Sequence, residues 1–476
     1  MVLVSLARNQ SLFFVPLALE LERRGFKTAI ITFHEQTVEY IRRHGLQVYS
    51  VPGLARGGGQ GNPLSVRTLC AEYGIANLNR ILTHERLCYE IGSTPKLTAK
   101  FQRYLPALDF IISELQRRSQ SRLVMFQELG GFISVLCAYF VARKHGIDNY
   151  FIEPSFFRGR LFFTLNSLAS PVIREPDREA EVTSELRDYL HENLRRRAIV
   201  IPKKDSLRYR SIWGKMLNGH NLRRLAQKTF EKHVMGYEEE FQHIWLYVRK
   251  HLRMLWNSFA LAKCYRPLPA GLKYIYYPLH VPADFALTIR SLEYLDQYSF
   301  LDYAAKVTPV THRLLIKEHP AHIGGLDSYR IRQLLKQNDN LWLVDPRVNN
   351  FDVMQRAEAV LTINSKSGAE ALLLGKPCIV LGDAFYRGSR LVRPIDSLRE
   401  LEPALAEALR SGDLSDQESI ERFFQNVWDS SYPGELFDCT EANIVEISRS
   451  IQRCLQENRV EQAVLQASVG DPLERV

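Results

Sequence analysis

The first fifty residues alternate closely between two hydrophobic patterns, and this feature restricts the fold more than any other. The predicted strands are residues 2–6, 28–33 and 48–51, and the predicted helices are residues 14–24 and 36–43. Gly25 and Gly45 each follow a helix and suit the left-handed conformation that commonly ends one. This alternation predicts a parallel α/β sheet, whose ligands bind beyond the carboxyl ends of the strands.

A second alternation of the same kind begins at residues 273–279. Its further predicted strands are residues 313–317, 341–344, 359–363 and 377–381, and its predicted helices lie near residues 292–308, 329–336, 353–356 and 368–374. A chain of 476 residues also exceeds the size at which one hydrophobic core keeps growing. We therefore predict an α/β protein with two Rossmann-like domains facing a cleft. The predicted domains are residues 1–256, residues 257–430 and a C-terminal helical segment at residues 431–476.

The composition is that of an ordinary globular protein, with 46% apolar and 24% charged residues. Its apolar stretches are far shorter than the roughly 20 residues that cross a bilayer. The apolar start runs directly into Arg8 without a basic leader, so no secretory signal is predicted. Seven scattered cysteines without CxxC spacing predict neither a disulfide framework nor a zinc site. These features favour the cytoplasm, with peripheral contact at the inner membrane as an extension of that prediction.

The formal net charge of +9 is concentrated in the basic residues of segments 194–197 and 203–210. Such a concentration favours an anionic partner, either a membrane surface or an anionic glycan acceptor. The alternative is a solvated basic face. Nucleic acid is not predicted as a partner because no recognition motif accompanies the charge.

The segment from Asn364 to Glu370 is the most informative in the chain. A predicted strand ends at Asn364, and a helix begins at Gly368 after a turn containing Ser365 and Ser367. Backbone N–H groups and serine hydroxyls at a helix N-terminus form an anion site. The alternative is that the two serines only cap the helix. Glu370, in the first turn, is either an acceptor for ribose hydroxyls or a compensation for the helix dipole.

Two further segments end strands of the same predicted sheet. Lys317, His319 and Pro320 follow one strand, where histidine beside a basic residue can donate to a phosphate and help a nucleotide leave. Pro320 would fix the direction of the chain after the strand. His280 follows the first strand of this sheet, where it contacts the ligand or packs the loop.

The N-terminal half supplies candidate carboxylates. Glu128 follows a predicted strand at residues 123–126, and Glu153 ends the neighbouring predicted strand, which begins at residue 150. A carboxylate at either position suits acid–base work or nucleophilic attack on a sugar. Arg158 could clamp a sugar carboxylate with two hydrogen bonds, or it could pair with Glu153. Asp205, inside the basic stretch, is the third candidate carboxylate.

These motifs resemble the capsule polysaccharide biosynthesis family, which includes bacterial β-Kdo transferases. The resemblance lies in the segments at residues 316–320, 362–377 and 381–386 and, in the first half, in residues 153–158 with Thr164, Asn166 and Ser167. In that last region Ser155 and Gly159 depart from the glycine and proline of the family. The resemblance implies a GT-B-like arrangement and the donor CMP-Kdo.

By the same resemblance, His319 and Pro320 contact the CMP phosphate, and Ser365 and Ser367 hold it. Retaining members are thought to form a glycosyl adduct on an acidic residue. Asp205 and Glu128 are the candidates here, in that order for the nucleophile and in reverse for the acid–base group.

The predicted function is transfer of an acidic sugar, Kdo from CMP-Kdo, to a bacterial surface glycan or glycolipid with retention, without a cofactor or metal. The alternatives are a UDP-sugar 2-epimerase, a CDP-glycerol glycerophosphotransferase and a non-catalytic partner in glycan assembly.

Overall fold

The computed structural model describes residues 1–56, 64–119, 121–171, 173, 181–197, 223, 226–231, 234–237, 240–241, 243–414 and 416–468. Asp205 and the basic segment at residues 203–210 lie outside these residues.

The N-terminal half forms a sheet in which β6 alone interrupts a run of parallel strands. Its first six strands are β1 Val2–Ser5, β2 Ala29–Thr32, β3 Gln47–Ser50, β4 Val124–Glu128, β5 Asp148–Pro154 and β6 Arg160–Leu165. The order β3-β2-β1-β4-β5 is parallel, and β6 pairs antiparallel with β5. This is the Rossmann order, whose direction reverses between β1 and β4.

Helices cover both faces of this sheet. They are α1 Arg8–Arg23, α2 Thr37–Arg43, α3 Val51–Arg56, α4 Val66–Glu72, α5 Leu78–Tyr89, α6 Thr94–Arg118 and α7 Ile133–Lys144. The next helix, α8 Ser184–Arg196, instead packs Leu186 and Leu190 into a core of the second domain. Successive strand residues point to opposite faces, so Val2 and Val4 enter one core and Leu3 the other. Gly25 and Gly45 have φ values of +89° and +77°, as predicted for residues that end α1 and α2.

The second sheet is parallel throughout. Its strands are β7 Tyr274–Pro278, β8 Arg313–Lys317, β9 Leu341–Val344, β10 Ala359–Thr362, β11 Cys378–Val380 and β12 Val392–Pro394. The order β12-β11-β10-β7-β8-β9 is again the Rossmann order, and its direction reverses between β7 and β10. Tyr274 and Tyr276 pack into one core, and Ile275 and Tyr277 pack into the other.

The helices that accompany the second sheet begin with α9, which starts thirty residues before β7 along the chain. They are α9 Ile244–Leu261, α10 Phe285–Thr288, α11 Gln297–Val307, α12 Ser328–Gln337, α13 Asn350–Arg356, α14 Lys366–Leu373, α15 Leu401–Ser411 and α16 Gln417–Asp429. The domain boundary predicted at residue 256 therefore falls inside α9.

The C-terminal segment returns to the first domain. Strand β13, Tyr432–Pro433, pairs antiparallel with β6, and helix α17, Glu441–Ser468, packs against α1. Ile447 and Ile451 of α17 are buried in the same core as Phe13. Residues 431–468 thus complete the N-terminal domain, although they follow the second sheet in sequence.

The carboxyl ends of the two sheets face each other across a cleft. Lys366, after β10, donates from Nζ to the carbonyl oxygen of Ser155, after β5, at 2.6 Å. The backbone N–H of Ser170, after β6, donates to Oδ2 of Asp383, after β11, at 2.8 Å. The predicted fold class is confirmed. None of the helices in the described ranges is long and apolar enough to cross a bilayer.

Candidate functional site

His280 and Asn364 lie at the point where the strand order of the second sheet reverses. The backbone N–H of Asn364 donates to Nε2 of His280 at 3.4 Å. Nδ2 of Asn364 donates to the carbonyl oxygen of Ala286 at 2.7 Å and to Oγ of Ser291 at 3.0 Å. Burial lowers the pKa of His280 to about 4, so its ring is neutral at pH 7. Both side chains therefore fasten the loops on either side of the crevice.

Ser365 caps α14 and fixes the turn that precedes it. Its Oγ accepts from the backbone N–H of Ser367 at 3.2 Å, and its own N–H donates to Oγ1 of Thr362 at 3.1 Å. The hydroxyl of Tyr386 donates to the Ser365 carbonyl at 2.5 Å. A Cβ at Gly368 would lie 2.2 Å from that hydroxyl oxygen, so only glycine allows this approach. Capping by Ser365 is confirmed, whereas Ser367 lies inside the helix, which begins at Lys366 and not at the predicted Gly368. The cap is compatible with an anion at the same helix N-terminus.

Glu370 belongs to a buried hydrogen-bond network. Nδ2 of Asn350 donates to Oε2 of Glu370 and to Oγ of Ser367, each at 3.2 Å. The hydroxyl of Tyr276 donates to Oδ1 of Asn350 at 2.6 Å. Burial raises the pKa of Glu370 to about 6. Through Asn350, the carboxylate therefore connects the first turn of α14 to α13 within the core. Contact between Glu370 and a ribose stays a prediction.

Lys317 ends β8 with an almost completely buried side chain, 2% exposed. The charges of Glu370 and Asp345 favour its ammonium. Burial outweighs those charges and lowers the pKa of Lys317 to about 8. An ammonium at the end of such a side chain is suited to an anionic ligand, because such a ligand supplies both charge and hydrogen bonds.

His319 and Pro320 follow in a short 3-10 turn, Pro320–His322. Nδ1 of His319 accepts from the backbone N–H of Ala321 at 3.2 Å, so the neutral ring carries its proton on Nε2. His319 and His280 both line a small surface depression. The Nε2–H group can donate a hydrogen bond to a phosphate oxygen, which suits the predicted contact.

Glu318 anchors this turn. The sequence analysis did not predict this role for Glu318. Its buried carboxylate accepts from the hydroxyl of Tyr265 and, at 2.9 Å, from the backbone N–H of Gly324. Burial raises the pKa of the carboxyl. A charged residue beside a predicted functional histidine was the available signal, but its partners Tyr265 and Gly324 became visible only in three dimensions.

Glu128 ends β4, beside β1, where the strand order of the first sheet reverses. Nε2 of Gln10, in the first turn of α1, donates to Oε2 of Glu128 at 2.6 Å. The carboxylate is partly exposed. This places Glu128 at the ligand-binding edge of its sheet, as predicted, and its catalytic role stays a prediction.

Glu153 pairs with Arg290 of the second domain, not with Arg158. Two guanidinium nitrogens of Arg290 donate to the two carboxylate oxygens at 2.7 and 3.1 Å. The same guanidinium donates to the carbonyl oxygens of Leu168 and Ala169 at 2.9 and 3.0 Å. The side chain of Arg158 is exposed. The interpretation that Glu153 pairs with Arg158 is therefore wrong, because the bidentate partner comes from the facing domain.

His84 was missed by sequence reasoning and lies between the domains. Its Nδ1 is 2.7 Å from Oγ1 of Thr288 in α10, and burial lowers the pKa of His84 to about 4. A Cβ at Gly131 would come within 2.4 Å of the imidazole, so the glycine makes room for the ring. A lone histidine on an amphipathic helix carries no sequence signal that separates this position from an ordinary core position.

No group of three or more His, Cys, Asp or Glu side chains in the described part of the chain is arranged to hold a metal ion. The prediction that no metal is required stays a prediction.

One curated relative aligns with part of the chain. Protein FixF of Sinorhizobium fredii is 32% identical over 167 residues, which are 34% of this chain and 39% of that protein. The chain therefore spans about two fifths of the length of this relative.

Two solved structures are also similar. Thermosulfurimonas dismutans KpsC, beta Kdo 2,7 transferase, aligns at 15% identity with a TM-score of 0.34, covering 82% of this chain and 97% of that one. The beta Kdo 2,4 transferase of the same KpsC aligns at 15% identity with a TM-score of 0.35, covering 67% of this chain and 86% of that one.

The family described as capsule polysaccharide biosynthesis protein matches residues 135–396, more than half of the chain. The matched region runs from α7 to the end of β12. It therefore includes Glu153, Arg158 and all the candidate residues of the second domain, and it leaves Glu128 outside. The chain belongs to the capsule polysaccharide biosynthesis protein family.

Proposed function

We propose that this protein is a glycosyltransferase that moves Kdo from CMP-Kdo to a bacterial surface glycan or glycolipid with retention. The observation that carries the proposal is the ammonium of Lys317, whose largely buried side chain ends β8 two residues before His319. Such a group is suited to bind a phosphate. The membership of the chain in a capsule polysaccharide family supports a sugar nucleotide as the source of that phosphate.

In this proposal the second domain binds the cytidine monophosphate. The helix N-terminus at Ser365 to Gly368 and the Lys317 ammonium attract the phosphate. His319 donates a hydrogen bond from Nε2–H to a phosphate oxygen as the bond from phosphate to sugar breaks, and the proton stays on the ring. The nucleotide then departs with the bonding electron pair, and its developing charge is stabilised by these donors.

Retention requires two displacements at the anomeric carbon. A carboxylate oxygen first bonds to that carbon as CMP leaves, and an acceptor hydroxyl then displaces the carboxylate while a base takes the hydroxyl proton. Asp205 and Glu128 are our candidates for nucleophile and acid–base group, in that order. The position of Glu128 at the end of β4, where the strand order of its sheet reverses, supports its inclusion.

The test is separate incubation with CMP-Kdo, CMP-sialic acid, UDP-GlcNAc and CDP-glycerol, followed by measurement of released nucleotide and of intact protein mass. We expect release from CMP-Kdo and a mass increase of one sugar. UDP-GlcNAc and CDP-glycerol represent the epimerase and glycerophosphotransferase alternatives, and no turnover of any donor in the presence of a glycan acceptor would indicate the non-catalytic assembly partner.

A cytidine-specific site also predicts selective thermal stabilisation. CMP at about 100 times its dissociation constant should stabilise the fold by roughly 2.7 kcal/mol. Equal stabilisation by CMP and UMP would show that the site does not select cytidine over uridine.

His319→Ala should lower turnover about 100-fold with an unchanged melting temperature, because phosphate contacts of this kind contribute on that scale. His191→Ala, at an exposed histidine of α8, is the control and should retain far more activity. Wild-type turnover in well-folded His319→Ala would contradict the assignment of His319.

We expect no sugar adduct on the Asp205→Ala variant after exposure to CMP-Kdo. An adduct that persists in this variant would assign the role of nucleophile to Glu128 or Glu153.

A further inference from the structure

Helix α9 carries a stripe of large apolar side chains that face solvent. Trp245, Leu252, Trp256 and Phe259 are 70%, 52%, 72% and 68% exposed. Their spacings of seven, four and three residues place all four on one face of the helix. Large exposed apolar patches of this kind mark interaction sites in stably folded proteins.

The opposite face of α9 is firmly anchored, so the exposure does not result from a loosely placed helix. Met254 and Leu261 are buried. Nδ2 of Asn257 donates to the carbonyl oxygen of Gly324 at 3.0 Å. A Cβ at Gly324 would lie 2.1 Å from the carbonyl oxygen of Met254, which shows how closely the two segments pack.

The stripe is bordered by positive charge. Residues 244–266 contain five arginines and lysines and no aspartate or glutamate. Arg249 and Arg253 are at least half exposed and share one carboxylate, Glu90. Lys263, just beyond the end of the helix, is exposed as well. A net positive charge therefore remains beside the aromatic face.

We propose that α9 docks this protein on the surface of an anionic lipid bilayer, with Trp245, Trp256 and Phe259 at the boundary between headgroups and acyl chains. Tryptophan is enriched at that boundary because its ring is apolar and its N–H is polar. A helix with an apolar stripe beside basic residues lies in the plane of the interface, and anionic lipid strengthens its attachment.

Charge complementarity favours an anionic bilayer over a second copy of the chain as the partner that binds this stripe. In a symmetric dimer through the stripe, Arg249, Arg253 and Lys263 of the two copies would approach each other, and like charges would repel. Anionic headgroups neutralise the same cations. The inference does not depend on the identity of the sugar donor.

Docking through α9 would bring the candidate site close to the bilayer. Asn257 of α9 holds Gly324, whose N–H donates to Glu318 next to His319. The loop that carries His319 therefore rests directly on the docking helix. An acceptor attached to lipid would be presented beside that loop.

Flotation of the full chain with vesicles tests the proposal. We expect binding to phosphatidylcholine vesicles containing phosphatidylglycerol, with a blue shift of tryptophan fluorescence, and little binding to phosphatidylcholine alone. The double variant Trp256→Ala, Phe259→Ala should lose at least about tenfold in partitioning. Lys263→Gln should lose about fivefold, because each cation near an anionic surface contributes on that scale. Phe110→Ala and Tyr329→Ser, at exposed aromatic positions elsewhere, should bind as wild type does.

Several outcomes would overturn the inference. They are unchanged flotation of the double variant, equal binding to vesicles with and without phosphatidylglycerol, and a lipid-free dimer that the double substitution dissociates in analytical ultracentrifugation. Nucleotide release from CMP-Kdo in solution should be the same in wild type and double variant, so failure of docking and failure of the proposed reaction are distinguishable.

Discussion

Lys317 is the residue whose charge state matters most to the candidate site. Its ammonium is buried at the end of β8, close enough to Glu370 and Asp345 for their charges to stabilise it, and burial still lowers its pKa to about 8. In the free protein the charged form is therefore lost as the pH rises through about 8. A bound phosphate favours the charged form, so binding and protonation are linked.

We predict that the affinity for CMP falls as the pH rises above about 8, by up to about tenfold per pH unit. The CMP phosphate itself titrates near pH 6 and is constant over this range. Isothermal titration calorimetry between about pH 7 and about pH 9.5 measures the effect. Lys317→Met, which is neutral at every pH, should bind weakly with a flat profile. A flat wild-type profile, or the same slope in Lys317→Met, would contradict the role of the lysine.

At the scale of single elements, the turn from β10 into α14 depends on a glycine. Gly368 lies under the hydroxyl of Tyr386, which itself holds the carbonyl of Ser365. The turn and its serine cap are thus fixed by a residue of the loop after β11. A side chain at position 368 would displace Tyr386 or the turn.

We predict that Gly368→Ala destabilises the protein by about 1–3 kcal/mol, as overpacked positions do, and weakens CMP binding. Thermal unfolding and calorimetry measure the two effects. Gly92→Ala is the matched control, because a Cβ there meets nothing within 4 Å, and it should be close to neutral. Equal melting temperatures for the two variants would show that the contact with Tyr386 does not constrain the turn.

At the scale of the whole molecule, Arg290 joins the two domains. Its side chain is 9% exposed, and it holds Glu153 and two backbone carbonyls of the facing domain. Removing one partner of a buried ion pair leaves the other charge without compensation. The cleft geometry therefore depends on this pair.

We predict that Arg290→Met destabilises the protein by about 3 kcal/mol and lowers turnover, because the two sheets are no longer held in register. Arg43→Met, which removes an exposed ion pair with Glu39, should cost less than about 1 kcal/mol. Thermal unfolding of Glu153→Gln, Arg290→Met and the double variant gives the coupling between the two side chains. If Glu153→Gln abolished turnover at wild-type stability, Glu153 would be catalytic rather than structural.

The sequence alone determined the two α/β units. Strand residues 313–317 and 341–344 were predicted with the bounds that the structure has, and the other predicted strands differ by one or two residues at their ends. It also identified the edge on which Lys317, His319 and Ser365 lie. Periodicity of 2 and 3.6 residues, glycine caps and the polarity of residues after a strand are local properties, so they can be recognised in a single sequence.

Only the tertiary structure decided which distant segments meet. Arg290 finds Glu153 across 137 residues of chain, and β13 with α17 returns to complete the first domain. The aromatic stripe of α9 has the same spacing as a core face, and only packing showed that it faces solvent. Pairing and burial depend on shape and charge complementarity between segments far apart in sequence, and no local pattern encodes which partner each segment will have.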